Sequence, residues 1–319
     1  MKLRNTWCIL FVLLLSLFCC SCGREKEFLS AEHTDTASSE QSVPAPYTPG
    51  QTHILNPAAD GSITCGCDFF FLDFSHADQG YFIGQLSGAD KKVNIQVTGP
   101  DGVIYNYFLE SPDTYAVFPF TAGSGNYLIL TFERIEQDQY VSLFSHSLTV
   151  DLANEFLPYL YPNQYVNFSK DSQAAALAAS LTADAATDLD ALRLLYEYVI
   201  HNISYDDHKA ATVQNGYLPD IDHTLQTGTG ICFDYAALTT AMLRMLSIPA
   251  RLEIGYSSDV RHAWIDVYIE SIGWVENAIE FNGNEWKLMD PTFAAADPDH
   301  EAVSDYIGDG DNYVLQYVR

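Results

Sequence analysis

Positive charge is scarce in this sequence of 319 residues: 15 lysines and arginines stand against 42 aspartates and glutamates, for a formal net charge of -27. Such a field repels polyanions, so nucleic acid is excluded as a partner. Cysteine is scarce too. Of seven cysteines, Cys8, Cys19, Cys20 and Cys22 lie at the extreme N-terminus, which leaves Cys65, Cys67 and Cys232 for a folded part. That is no disulfide framework. Cys65-Gly66-Cys67 reads as a strained local disulfide or as half of a metal site. No second cysteine or histidine cluster at ligand spacing accompanies it, so neither a metal nor a cofactor is expected. The acidic stretch from Asp305 to Asp311 lacks the ligand order of a calcium-binding loop.

Apolar runs are short as well. The longest reading, Trp7 to Phe18, is about a dozen residues, too few to span a bilayer comfortably. Preceded by Lys2 and Arg4, it reads as an export signal over residues 1–22. The following Cys19-Cys20-Ser21-Cys22-Gly23 resembles the lipobox of bacterial lipoproteins. Leu17 favours Cys20 as the lipidated residue, Ser21 favours Cys22, and Cys22 is chosen. The resemblance implies a lipid anchor on the extracytoplasmic face of the cell membrane; an ordinary cleaved leader or an uncleaved anchor is the alternative. Residues 23–60, rich in Ser, Thr, Glu, Gln and Pro, read as a flexible linker.

What is present in quantity is apolar and aromatic: 48% hydrophobic residues, with 20 tyrosines and 18 phenylalanines, far too many for a disordered acidic chain. Val93-Asn94-Ile95-Gln96-Val97-Thr98 alternates without a break, and Gly99-Pro100-Asp101-Gly102 turns the chain. Similar runs start at Phe69, Tyr81, Val103, Tyr115, Tyr127, Tyr140 and Ser147. Their spacing predicts a β-sandwich or jelly-roll-like domain over residues 61–152, followed by an α+β domain over 153–319.

In the second domain Thr187 and Asp190 form a capping-box pattern, and Leu189, Leu192, Leu195, Tyr196, Val199 and Ile200 follow at helical spacing. Gly228 and Gly230 precede Cys232, after which Tyr235, Leu238, Met242 and Met245 mark one helix face. Cys232 is thus placed at a helix N-terminus, where free backbone N–H groups favour a thiolate. A small buried cysteine packing a helix start is the plainer alternative. Downstream, His262 opens a strand with Trp264, Asp266 and Tyr268 on its own face, and Asp290 ends a short strand before Pro291. Nucleophile, base and orienting carboxylate are all available.

Four motifs in order, Gly230-Ile231-Cys232-Phe233-Asp234-Tyr235-Ala236, Leu246 to Arg251 with Gly255-Tyr256, His262-Ala263-Trp264, and Trp286 with Asp290-Pro291-Thr292, resemble the transglutaminase-like superfamily. The resemblance implies a papain-like core in which Cys232 is the nucleophile, His262 the base and Asp290 the group that holds the imidazole. It gives Tyr205 and Trp264 a supporting place at the oxyanion or substrate site, with a packed Tyr205 as the alternative. It implies a protein or peptide substrate at the cell surface or wall, attacked at a carboxamide or peptide bond. A retained fold without activity, in a binding or structural lipoprotein, is the rival. His201, His208, His223 and His300 lack the motif context of His262. The stretch 274–285 reads as an added hairpin turning at Asn282-Gly283, and the acidic segment 217–223 as solvated surface or a cleft wall.

Overall fold

The computed structural model describes residues 44–87, 91–110, 114–136, 139–257, 260–281, 286–287 and 313–319. Cys22, Asp290 and His300 lie outside them, as do the export signal, the calcium-loop candidate and the Asn282-Gly283 turn.

The strand-rich region is a sandwich of two antiparallel sheets. One runs β1 (Thr64–Cys67), β2 (Phe70–Asp73), β3 (Tyr81–Leu86) and β6 (Thr114–Pro119); the other runs β5 (Ile104–Leu109), β4 (Val93–Thr98), β7 (Gly125–Glu136) and β8 (Gln139–Val150). Alternation explains the join. Val93, Ile95 and Val97 are buried and pair across the ladder with Leu109, Tyr107 and Tyr105. That apolar face meets Phe70, Leu72, Phe82 and Phe118 of the opposite sheet in one core. Tyr107 and Phe118 bridge the two sheets edge to face at 4.8 Å between centroids.

Two strand expectations change. The runs at Tyr140 and Ser147 are one continuous strand, β8, held by pairing with β7 along its length. Cys65-Gly66-Cys67 is no bridged loop: both cysteines are unbridged and sit in β1, paired with β2. Gly66 is required by that pairing, since a Cβ there would lie 2.6 Å from Phe71 Cα. Among the described residues no His, Cys, Asp and Glu cluster can hold a metal, and no helix is long and apolar enough to cross a membrane.

The α+β region opens with α1 (Gln173–Leu181) and α2 (Asp188–Asn202). The capping box of α2 forms as expected, with Asp190 N–H donating to the Thr187 hydroxyl and Thr187 N–H to the Asp190 carboxylate. Next come β9 (Ser204–Tyr205), α3 (Asp207–Thr212), α4 (Ile221–Thr227), β10 (Thr229–Gly230) and α5 (Cys232–Met245). A sheet ordered β14-β13-β12-β11-β15 closes the region, from β11 (Ala250–Ser257), β12 (Val260–Ile269), β13 (Gly273–Phe281), β14 (Trp286–Lys287) and β15 (Tyr313–Val318).

Helix α5 is the centre of the second core. It is buried from Asp234 to Met245, and Leu238, Ala241, Met242 and Met245 share a core with Leu252, Ile254, Ala263, Ile265 and Val267. The other face of β11 and β12 carries Glu253, Trp264, Asp266 and Tyr268, so the expected two-sided alternation of β12 holds. Arg244, fully buried near the end of α5, donates to the carbonyls of Ala250, Tyr161 and Arg319 at 3.0, 2.9 and 2.8 Å. This single side chain ties the helix to the connector after the sandwich and to the end of β15.

Candidate active site

Two glycines set the start of α5. Gly228 ends α4 in the left-handed region at φ 63°. Gly230 pairs with Tyr205 in the short parallel ladder of β9 and β10, and a Cβ on it would lie 2.8 Å from the Asp234 Cβ. The chain can therefore turn from β10 into α5 within a single residue, Ile231, and Cys232 becomes the first helical position. Asp234 accepts the Ile231 N–H at 2.8 Å, which is the returning half of a capping box. Isoleucine has no side-chain acceptor to supply the other half.

The Cys232 sulfur lies against the backbone N–H groups of Ala263 and Phe233. The first of these is the residue next to His262, so β12 crosses the helix start at its histidine end. Burial pushes the thiol above its ordinary value, the Asp234 carboxylate adds to that rise, and the backbone donors pull it down without reversing it. The helix terminus is where the sequence places it, but burial outweighs it at rest.

His262 is buried at 8% exposure, and burial lowers its pKa to about 4. The resting ring is therefore neutral. Its Nε2 has no hydrogen-bond partner among the described residues. One side of the ring stacks on Trp264, 6.4 Å between centroids at 24°.

Trp264 is fully buried, and its indole N–H donates to Glu253 at 2.8 Å. It backs the histidine and does not face solvent. Burial first, and then the neighbouring Asp266, raise the Glu253 carboxyl to about 9, so this acid is neutral at neutral pH. Tyr205 is half-buried with its phenol against the Cys232 backbone N–H, and burial, followed by the proximity of Cys232, raises it to about 12. The phenol thus keeps its proton beside the Cys232 amide.

Three of the rival histidines are among the described residues. His201 binds the Glu197 carbonyl with Nδ1 at 2.7 Å near the end of α2, and His208 and His223 are exposed on α3 and α4. In the segment 217–223, Asp220 caps α4 by accepting the His223 N–H at 3.0 Å, and Tyr217 reaches the Asp234 carboxylate. Sequence reasoning missed Tyr217, its neighbour Lys209 and the buried Glu253. Only a tertiary contact distinguishes Lys209 or Tyr217 from surface residues, whereas an acid at Glu253, inside an apolar strand, was a usable signal. A cleft of about 1040 Å³, lined in part by Phe108, Tyr115, Tyr140, Gln164, Gln214 and Asn215, opens beside the 214–218 loop and includes neither Cys232 nor His262.

The sequence of residues 175–277 matches the transglutaminase-like superfamily. No curated protein matches the chain. Among solved structures, a candidate cysteine protease from Cytophaga hutchinsonii is similar at 15% identity and a TM-score of 0.36, covering 81% of this chain and 84% of that one. A candidate protease from Parabacteroides distasonis aligns at 10% identity and a TM-score of 0.28, over 65% and 63% of the two chains. Red sea bream transglutaminase aligns at 14% identity and a TM-score of 0.25, over 66% of this chain and 48% of its own. The family match stands on the sequence. The stretch from α1 into β13 is thus the part of the chain that is similar to the transglutaminase-like superfamily.

Proposed function

We propose that this protein is a cysteine-dependent acyl-transfer enzyme of the cell surface, acting on carboxamide or peptide bonds through a Cys232 thioester. The observation that carries the reading is the seat of Cys232: first residue of α5, sulfur against the Ala263 N–H, and a neutral histidine next along that strand.

The mechanism starts from a neutral pair. His262 takes the thiol proton as the sulfur attacks the substrate carbonyl carbon, forming the S–C bond and an oxyanion. The Cys232 N–H and the Tyr205 phenol support that oxygen. The imidazolium, oriented by Asp290, gives its proton to the leaving nitrogen as the C–N bond breaks, and a thioester remains. Water or an amine then attacks the thioester, His262 takes the attacker's proton, and the thiol is released. Water makes the protein a protease or amidohydrolase, and an amine makes it a transglutaminase. Trp264 acts behind the histidine by fixing its ring.

The leader pattern and the resemblance of the Cys22 region to a lipobox support a site on the extracytoplasmic face of the membrane, with protein or peptide substrates at the surface or wall. A glutamine-containing peptide supplied with a lysine-like amine tests the reaction, with ammonia, conjugate and hydrolysed product measured. Products that vanish in Cys232→Ala support it. Surface function that survives Cys232→Ala unchanged favours an inactive binding lipoprotein.

A further inference from the structure

Asp234 is the most deeply buried acid near the thiol, with a side chain fully shielded from solvent. It stands two residues after Cys232 on the first turn of α5. One oxygen accepts the Ile231 N–H at 2.8 Å and the Lys209 ammonium at 2.6 Å; the other accepts the Tyr217 hydroxyl. Lys209 also reaches the Tyr217 hydroxyl at 2.7 Å, and its ammonium stands 4.6 Å from the centre of that ring. Burial and the adjacent carboxylate keep the Tyr217 phenol protonated, so it remains a donor. Lys209 is held in turn by its own backbone, which donates to the Asp206 cap of α3 at 2.8 Å.

A chain with 15 basic residues against 42 acidic ones commits one lysine to this spot. Helix capping alone needs no cation, because the Ile231 N–H bond already supplies the cap. The carboxylate is, however, a negative charge two residues along the first turn of α5 from the atom that must become negative during attack, and it raises that thiol. A like charge at such short range in a buried site disfavours a thiolate, and an ammonium in contact with the carboxylate cancels most of that field.

We propose that Lys209, seconded by Tyr217, is a positioning residue for the Cys232 nucleophile: it neutralises the Asp234 carboxylate and thereby eases ionisation of the sulfur as its proton is removed. The inference rests on Cys232 being the nucleophile. Tyr205 on β9 lies next to Cys232, Asp207 at the start of α3 lies near Tyr205, and His262 on β12 precedes Ala263, whose N–H meets the sulfur. Among the described residues, Lys209 is the cation paired with the Asp234 carboxylate.

The test is the rate of Cys232 alkylation by iodoacetamide against pH in the full chain, read at the level of the Cys232 peptide by mass spectrometry. Lys209→Met should raise the midpoint by about one unit and slow alkylation near neutral pH about tenfold. Lys209→Arg should restore the wild-type profile, and Tyr217→Phe should shift it in the same direction as Lys209→Met but less. Lys209→Met leaves a buried carboxylate unpaired and so threatens folding. The comparison is therefore repeated with Asp234→Asn, which should itself lower the midpoint: adding Lys209→Met to that variant should shift it far less than in the chain that keeps Asp234. A midpoint indifferent to Lys209→Met in the chain that keeps Asp234, or one that rises as much in the Asp234→Asn background, while alkylation still depends on His262, overturns the inference alone. A Cys232 profile indifferent to His262→Gln counts against the nucleophile assignment itself.

Discussion

The Cys232 sulfur meets the backbone N–H of Ala263, so the strand that carries His262 passes directly over the start of helix α5. In the proposed reading the helix supplies the nucleophile and the strand supplies both a donor to the sulfur and the base, so both depend on the packing of α5 on β12. Burial that makes this seat precise also leaves both partners uncharged at rest, with the thiol raised and the histidine lowered to about 4. The account therefore assigns His262 the work of removing the proton during attack.

His262→Gln should lower kcat on the order of 10²–10⁴-fold, the usual worth of a positioned base. It should also change stability against pH. The folded-state pKa of about 4 lies below the ordinary 6.5, so the unfolded chain binds the extra proton between those values. The neutral histidine's contribution is complete above about 6.5 and is lost as pH falls toward 4, a loss of about 3 kcal/mol. Melting temperatures from about pH 7 to pH 4 should fall less steeply in His262→Gln than in wild type.

Glu253 runs the other way. Its folded-state pKa is raised to about 9 by burial and by Asp266, so the unfolded chain loses a proton that the folded chain keeps. Its contribution is full below about 4.5 and is lost as pH rises toward 9. Glu253→Gln keeps the acceptor for the Trp264 indole and removes the proton, so the variant should gain stability relative to wild type at alkaline pH. Melting curves taken at acid and alkaline pH check it. An unchanged difference between the two would show Glu253 ionised in the fold.

How much of this was legible follows from where each signal resides. Val93 to Thr98 is a strand with the bounds that its unbroken alternation shows, and the Thr187 box starts α2 as read, because both signals are local. The placement of Cys232 at a helix start was also local, fixed by Gly228 and Gly230. Helix α1 was missed because Gln173–Leu181 is alanine-rich, with little of the large apolar stripe that marks a face. Strand β1 was hidden by reading Cys65-Gly66-Cys67 as a chemical motif when its pairing with β2 decides its structure. The raised Cys232 thiol and the Lys209 contact depend on tertiary burial, which no spacing encodes.

Tyr205→Phe removes the phenol that lies against the Cys232 amide. If the hydroxyl supports the oxyanion, kcat should fall about 10- to 100-fold with KM nearly unchanged, below the usual cost of losing a full oxyanion donor. A variant that loses stability and keeps kcat would make Tyr205 a packing residue.

Asp290→Asn should lower kcat far more than it lowers the melting temperature, because the proposed task of Asp290 is to hold the His262 tautomer and favour the imidazolium. The unpartnered His262 Nε2 is the atom available for such a bond. Parallel loss of fold and activity would make the residue structural.

The most direct measurement is transfer of an acetyl group from p-nitrophenyl acetate to the full chain, followed by peptide mapping of the adduct. This acyl donor needs no knowledge of the natural substrate. The account predicts a stoichiometric burst of nitrophenol, an acetyl thioester on Cys232, and loss of both in His262→Gln and Cys232→Ala. Acetylation confined to Cys65, Cys67 or lysines, with no burst and no dependence on His262, would contradict it.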